Sequence, residues 1–574
     1  MIRTLLAFLA LASFARAQET LFRQVADTRT DTHVEVLSLF SHPSLGGYMP
    51  VRIVIANNQK IPHKIYLSFK DSSNWGDSLV TSSEFSFAAS PLKTTTYDIL
   101  VPLGAQNGTL NNPTLHTTLS GTMGNNAANV SSVFSESQAA VLLSGSLHTP
   151  NGSALDTELA SRSGGSYRGS SSGFSSKFDP KQLPDDWRAF SGFDTVMLTE
   201  SDWSLIPPGS RNAIVSWIRL GGQLVVFSTG SPTLKALGLP EDPSYGDILL
   251  RTIPSDLRLD PKPTVDLANS GRKAKPRLDA IATDFKSHWP IQSAFGEKSF
   301  NYIVFVLILI VFGIIVGPVN LFVFAKSGRR HRLFVTTPII SIVTSLILIA
   351  LIILQDGFGG KGTRLVLMEV RPDENQNAAF IHQEQFSRTG VMTSPSFTID
   401  VPAFIAPVPI ASTRWSRFTD TYDTRGSYDL QPADGKLFAD GAWFQSRSEQ
   451  GQLITAAVPT RGRIEATRDA DTLVSTFDFP IQTLLYKDAK GDWHRAENIT
   501  KGQPIKLSSV DPTMVLPVLN KTATLFTARN RKFFENTNDR NDHFIAITSS
   551  APGIETHPGI DWQTTTVITG PLAR

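Results

Sequence analysis

At 574 residues the chain is long enough for about four folding units of roughly 150 residues each. Its 53 Lys and Arg against 51 Asp and Glu leave a net charge of +2, without the basic excess a nucleic-acid partner demands. The chain has no cysteine, which removes disulfides, thiolate metal sites, iron–sulfur ligation and cysteine nucleophiles together; with 41% hydrophobic and only 18% charged residues, against roughly 25% charged in soluble domains, it reads as a folded, membrane-associated protein.

The first 17 residues have the form of a secretory signal peptide. Arg3 supplies the positive start, Leu5 to Phe14 a short apolar run, and Ala15-Arg16-Ala17 a small-x-small cleavage site with Gln18 as the first mature residue. The run is too short to span a bilayer comfortably, which argues against an uncut anchor.

Residues 18–137 are expected to form a β-sandwich. His33–Leu39, Tyr48–Ala56, Lys64–Phe69 and Thr94–Val101 alternate or run apolar between Gly, Asn and Pro turns. Residues 138–290 are expected to be α/β. Ala139–Ser144, Phe193–Thr199 and Gln223–Ser228 read as buried strands, and Pro208–Leu220 as a helix closed by Gly221-Gly222. Strand, helix, strand with a short link predicts a βαβ unit and a parallel sheet. Between the first two strands, Ser161–Ser176 is Ser/Gly-rich and reads as a flexible excursion. It holds a formal GxSxG, Gly169–Gly173, without the preceding strand and following helix that a nucleophile elbow needs. Residues 236–300 are weakly patterned, and Trp289-Pro290 has the form of either a membrane-interface anchor or an ordinary linker aromatic.

Two charge-free apolar runs follow, Tyr302–Ala325 and Leu333–Leu354, each longer than the roughly 20 residues a transmembrane helix requires. The loop 326–332 between them carries Lys326, Arg329, Arg330 and Arg332, which the positive-inside rule places in the cytoplasm. Both long flanking segments then lie outside, in agreement with the signal peptide. Gly313 with Gly317, and Ser341 with Ser345, are small-residue pairs that predict a packed hairpin or a face for a partner's helix. Asn320 is the one strongly polar side chain deep in the first helix and is read as a hydrogen-bonding group across the hairpin. Without acidic or basic residues the two helices offer no ion path. Residues 361–574 read as a mainly-β domain, with candidate strands at Thr363–Val370, Ser396–Val401, Gln452–Val458, Thr476–Phe479 and His543–Thr548.

Few residues suggest chemistry. Gly359–Thr363 departs from the phosphate-loop spacing because Gly362 follows the lysine. His382 with Glu384 reads as a solvated pair, and Asp469 with Asp471 as a polar turn. No metal site and no cofactor are expected. Sequons occur at Asn107, Asn129, Asn151, Asn498 and Asn520, but a cysteine-free exported protein points to a bacterial envelope. One site follows from position. Ligands of open α/β sheets sit beyond the carboxyl ends of the strands. Here those ends hold Ser144 and Ser146, Glu200 and Asp202, and Ser228 and Thr229.

The strand–helix–GG–strand pattern of Phe193 to Ser228 occurs with Gly317-Pro318-x-Asn320, a basic loop and Thr337-Pro338. Together they resemble a group of bacterial membrane proteins of uncharacterised function. In that group an extracytoplasmic domain, similar to the class I glutamine amidotransferase fold, precedes a transmembrane hairpin. The resemblance covers about residues 135–355. It implies a degenerate amidotransferase-like domain, since the cysteine of a working amidotransferase has no counterpart here.

The expected protein is therefore a multidomain α+β protein of the bacterial inner membrane, two-pass, with both large parts extracytoplasmic. Its expected role is non-enzymatic binding or scaffolding of envelope proteins. The alternatives are a hydrolase built on Glu200 and Asp202, with His148 the nearest histidine, and an accessory subunit of a transport complex met through Gly313 and Gly317. Ligand, partner and oligomeric state are not legible in the sequence.

Overall fold

A computed structural model describes residues 19–573, apart from 42, 45, 73–79, 104–113, 131–138, 163–172, 275–288, 297–301, 326, 373–376, 409–426, 434 and 468–471. The expected signal peptide, the sequon at Asn107, the serines of the GxSxG tract and the pair Asp469 and Asp471 lie outside the described residues.

Alternation dictates the first strands. These are β1 (Glu19–Asp27), β2 (Thr32–Ser38), β3 (Tyr48–Asn57), β4 (His63–Ser72), β5 (Val80–Ala89), β6 (Lys93–Pro102), β7 (Thr114–Gly121) and β8 (Asn126–Val130). β1, β2, β3 and β6 form one antiparallel sheet, and β4 pairs antiparallel with both β5 and β7. Side chains two apart share a face, so Val34 and Val36, Ile53 and Ile55 from one sheet meet Ile65, Leu67 and Phe69 from the other in one core.

The next strands are β9 (Val141–Ser144), β10 (Ser176–Phe178), β11 (Thr195–Thr199), β12 (Gln223–Ser228) and β13 (Asp247–Thr252). All pair parallel, in the order β10-β9-β11-β12-β13. The parallel strand–helix–strand unit expected over residues 193–228 is present. Its helix ends on Gly221, whose φ of +115° favours glycine, and a Cβ on Gly222 would stand 2.2 Å from the Trp217 ring. The sequence did not reveal α1 (Gly145–Arg162), which starts directly after β9. Gly145, Pro150 and Gly152 interrupt its helical signal, and Leu147, Leu155 and Leu159 are its buried apolar residues. Asn151, one of the sequons, is buried in that helix and donates to Leu257 O at 2.8 Å.

The two apolar runs form helices of mean hydropathy 2.8 and 2.7 whose side chains are almost entirely uncovered. The first, Tyr302–Ile314, continues as a wide turn over Ile315–Phe324, where Pro318 lacks the N–H an α-helix uses and Ala325 N bonds Asn320 O five residues back. The second spans Leu333–Asp356. Asn320 is fully buried between them: it donates to Thr337 Oγ1 at 2.9 Å and accepts from Thr336 Oγ1 at 2.6 Å. The expected polar bond across the hairpin is thus present. The small-residue faces do not meet, however: a Cβ on Gly313 or Gly317 would have nothing within 4 Å, and Ser345 is exposed. The wide turn is the reason: it begins at Ile315, between the two glycines, and its extra residue per turn rotates their faces away from the second helix.

After the hairpin come β14 (Gly360–Arg371), β15 (Ala378–Thr389), β16 (Phe397–Ile399), β17 (Ala403–Val408), β18 (Ser427–Ala433), β19 (Lys436–Gly441) and β20 (Glu449–Pro459). β21 (Ile464–Ala466), β22 (Thr472–Ser475), β23 (Ile481–Lys487), β24 (Trp493–Ile499), β25 (Pro504–Lys506), β26 (Ser508–Ser509), β27 (His543–Thr548) and β28 (Ile560–Pro571) follow. A nine-stranded sheet runs β17-β20-β15-β14-β28-β27-β23-β24-β26. The reading of this part by strands alone missed two helices, Pro512–Ala523 and Ala528–Asn538, which bury Val515, Leu519, Phe533 and Phe534 against that sheet.

The parts before and after the hairpin share structure. β18 pairs parallel with β5, so a seven-stranded sheet runs β16-β19-β18-β5-β4-β7-β8. The Tyr48 hydroxyl donates to Ala403 O at 3.0 Å, and Ala378 and Phe380 sit in the core around Trp217. The molecule is a mixed α+β protein of several sheets with two long apolar helices.

Candidate functional site

The strand order β10-β9-β11-β12-β13 reverses direction between β9 and β11, the first strand leading to one side and the third to the other. That is the topological switch point where open parallel sheets bind ligands beyond the strand ends. The residues singled out in the sequence lie at and beside it. Ser144 closes β9 and shares a hydrogen bond with Ser146 at 3.1 Å. Ser146 in turn donates to Asp202 Oδ2. The same oxygen accepts from the Thr199 amide at 3.2 Å and from its hydroxyl at 2.8 Å, while the Asp202 amide donates to Thr199 Oγ1 at 3.1 Å. This reciprocal pair caps the short helix Glu200–Leu205. One strand over, Ser228 donates to Glu200 Oε2 at 2.6 Å. Thr229 is exposed beyond the end of β12.

The structure therefore joins Ser144, Ser146 and Asp202 in one chain of bonds and Glu200 with Ser228 in another. His148 joins neither: the charged groups that act on it are Lys177 and Asp156, and burial holds its pKa below the usual histidine value. Ser146 thus bonds a carboxylate oxygen that Thr199 also engages in capping the helix, with no histidine in either chain of bonds. The rim it forms with Glu200 is a row of hydroxyls and acceptors suited to polar contacts.

A second polar assembly lies where the parallel sheet, the nine-stranded sheet and the two late helices meet. His382 and Glu384, expected to be solvated, are buried inside it. They occupy alternate positions of β15 and face the same way, and β15 is covered on both sides, which a local reading of His-Gln-Glu cannot reveal. Glu384 Oε1 accepts from the Thr527 hydroxyl and from Asn530 Nδ2, each at 2.6 Å, and Oε2 accepts from the Trp289 indole at 3.1 Å. Burial nevertheless raises its pKa, the hydrogen bonds opposing. Tyr245 is sandwiched between His382, centroids 4.0 Å apart, and Phe533, at 3.8 Å and 11°. Burial, aided by Arg529, holds His382 well below the usual histidine value, and burial lowers Arg529 itself to about 10. Beside this stack Asp242 takes Arg371 at 2.5 Å and Arg540 at 2.7 Å. Arg371 also pairs with the buried Glu369 at 2.5 Å. Burial raises the Asp242 pKa, but the two guanidinium groups outweigh it and the net shift is downward.

Trp289 is likewise not an interface anchor. It is 2% exposed and belongs to the core of the nine-stranded sheet, because its indole N–H finds a buried carboxylate there. Among the described residues no group of three or more His, Asp or Glu side chains is placed to hold a metal ion. Comparison of the chain with known protein families and with curated proteins returns no match.

Proposed function

We propose that the chain is a two-pass protein of the bacterial inner membrane whose two exported segments form one composite body that binds or scaffolds envelope proteins. The pairing of β5 with β18 carries this reading. Strands on either side of the hairpin hydrogen-bond directly, so both flanks must occupy the same compartment. An even number of membrane crossings and a basic loop of four positive charges then favour the outside. The uncovered apolar side chains of both helices support lipid contact, and the polar groups of Asn320 are satisfied within the hairpin, which leaves no path for ions. The doubly wound strand order supports the amidotransferase-like resemblance, and a Ser146 bonded to a helix-capping Asp202 favours binding over hydrolysis.

The chain's lack of cysteine makes topology directly measurable. Single cysteines at Thr157, Ser327 and Lys521 are labelled in intact cells stripped of their outer membrane, with a maleimide that does not cross the inner membrane. Labelling at 157 and 521 but not at 327 is expected. Labelling at 327 overturns the orientation. Cross-linking in native membranes and purification in mild detergent then test the scaffold role, for which a stoichiometric envelope partner is required.

The open faces of Gly313 and Gly317 favour a second reading, an accessory subunit whose first helix packs against a larger membrane protein. Replacing both glycines by leucine then abolishes co-purification while membrane insertion is kept.

A further inference from the structure

The described segments on either side of the hairpin, residues 289–296 and 356–359, land on one short stretch of sheet. On the incoming side, Trp289 bonds Glu384, and its ring meets Phe386 edge-on with centroids 5.8 Å apart. Phe295, at the end of the short helix Pro290–Phe295, packs on Phe386 at 5.3 Å and under the Arg388 guanidinium at 4.9 Å. Arg388 donates to Gly296 O at 2.5 Å and is itself held by Glu449 at 2.5 Å. On the outgoing side, the second membrane helix ends on Asp356, whose buried carboxylate pairs with Arg447 at 2.6 Å. Gly357 turns the chain with a φ of +74°, its carbonyl accepts from Val391 N at 2.9 Å, and Gly359 O accepts from Gly390 N at 2.6 Å. Arg447 N closes the ring on Gly390 O at 2.8 Å.

Glu384, Phe386 and Arg388 are alternate residues on one face of β15, and Gly390 and Val391 follow its end. A hinge between a membrane anchor and its exported body needs a segment of few buried contacts. The incoming joint is instead built from charge-assisted hydrogen bonds and aromatic packing, and the outgoing one from a buried ion pair and backbone hydrogen bonds.

We propose that residues 384–391, the end of this strand and the two residues after it, are a clamp that fixes the membrane hairpin to the exported body, so that the two move as one. Force or reorientation imposed by a partner on the exported body then reaches the hairpin through the second membrane helix, which runs into the clamp at Asp356. The inference rests on the two-pass reading above.

The test uses the full chain in lipid nanodiscs, with spin labels on cysteines introduced at Ser327, in the basic loop, and at Lys521, on the exported body. A single narrow distance distribution is expected. The double variant Glu384→Gln, Asp356→Asn keeps side-chain shape but replaces one acceptor of the Trp289 and Asn530 bonds and neutralises the partner of Arg447. Its distribution is expected to at least double in width, with the melting of the exported body retained. Trp289→Phe, which removes a single donor, serves if the double variant does not fold. A broad distribution in the unmodified protein, or unchanged width in a folded variant, overturns the clamp while leaving the two-pass reading intact. A chain that stays outside the nanodisc overturns both.

Discussion

Arg371, on the first strand after the hairpin, reaches Asp242, in the loop between β12 and β13 before it, with Nη2 2.5 Å from Oδ2. Arg371 also neutralises Glu369, which is nearly fully buried, so one guanidinium serves two carboxylates from different parts of the chain. Removing it leaves an uncompensated buried charge, and such losses cost about 3–5 kcal/mol. Arg540 stands 3.5 Å from Glu369 and compensates in part, so Arg371→Met is expected at the lower end, about 3 kcal/mol. Asp242 is about one-third exposed, and Asp242→Asn is expected to cost less, about 1 kcal/mol after solvent screening. Urea denaturation in mild detergent, followed by tryptophan fluorescence, checks the order of the two variants; equal midpoints would contradict it.

The shared sheet makes the segment before the hairpin incomplete by itself. A fragment of residues 18–296 lacks β18, which covers the edge of β5, and lacks Ala378 and Phe380 from the core around Trp217. An unpaired strand edge and an uncovered apolar core favour aggregation. The fragment is expected to be protease-sensitive and to bind a hydrophobic dye. Co-expression with residues 357–574 is expected to restore resistance. A fragment that melts cooperatively alone would disprove this.

The bonds of Asn320 to Thr336 and Thr337 hold the hairpin near its basic loop. Polar contacts between membrane helices contribute about 0.6–2 kcal/mol. Asn320→Leu is expected to lower the unfolding midpoint in detergent by a small amount of that order without preventing insertion. Thermal scans and protease protection of the basic loop measure the two effects separately.

Acid is expected to weaken the fold through its histidines. The buried His382 takes up a proton only well below 6.5, whereas the unfolded chain takes it up near 6.5. Its neutral form therefore favours folding above that value, and the contribution is lost as the pH falls below it. His543, lowered by burial and by Arg371 and Arg540, has the same sign. Glu384 has the opposite sign: burial raises its pKa above 4.5, so its contribution is largest in acid and is lost as the pH rises through the folded value. The two histidines act in the same direction as the pH falls from 7 to 5.5, and His382→Leu is expected to flatten whatever decline in melting temperature the parent protein shows over that range. A variant with the slope of the parent protein would remove His382 from the account.

Local pattern carried the sequence reading where the physics is local. Strand alternation placed β2, β3, β4 and β6 within a few residues of their observed limits, because side chains two apart must share a face. Length and lack of charge marked the two apolar helices, and the strand ends brought Ser144, Ser146 and Asp202 into one bonded group. The helix Gly145–Arg162 was not legible because Gly and Pro weaken a signal that packing over the parallel sheet restores.

What tertiary structure alone decided is which distant groups meet. No local property of Val80–Ala89 selects Ser427–Ala433 as its neighbour; that depends on which sheet edges remain free once every other strand is paired. The same holds for His382 and Glu384, polar in sequence yet buried, because donors from Trp289, 95 residues earlier, and from Thr527 and Asn530, 143 and 146 residues later, satisfy the carboxylate. Hydrophobic period and residue type determine what a segment is, over a range of a few residues. Burial and pairing are properties of its partners, and those are set by the whole chain at once.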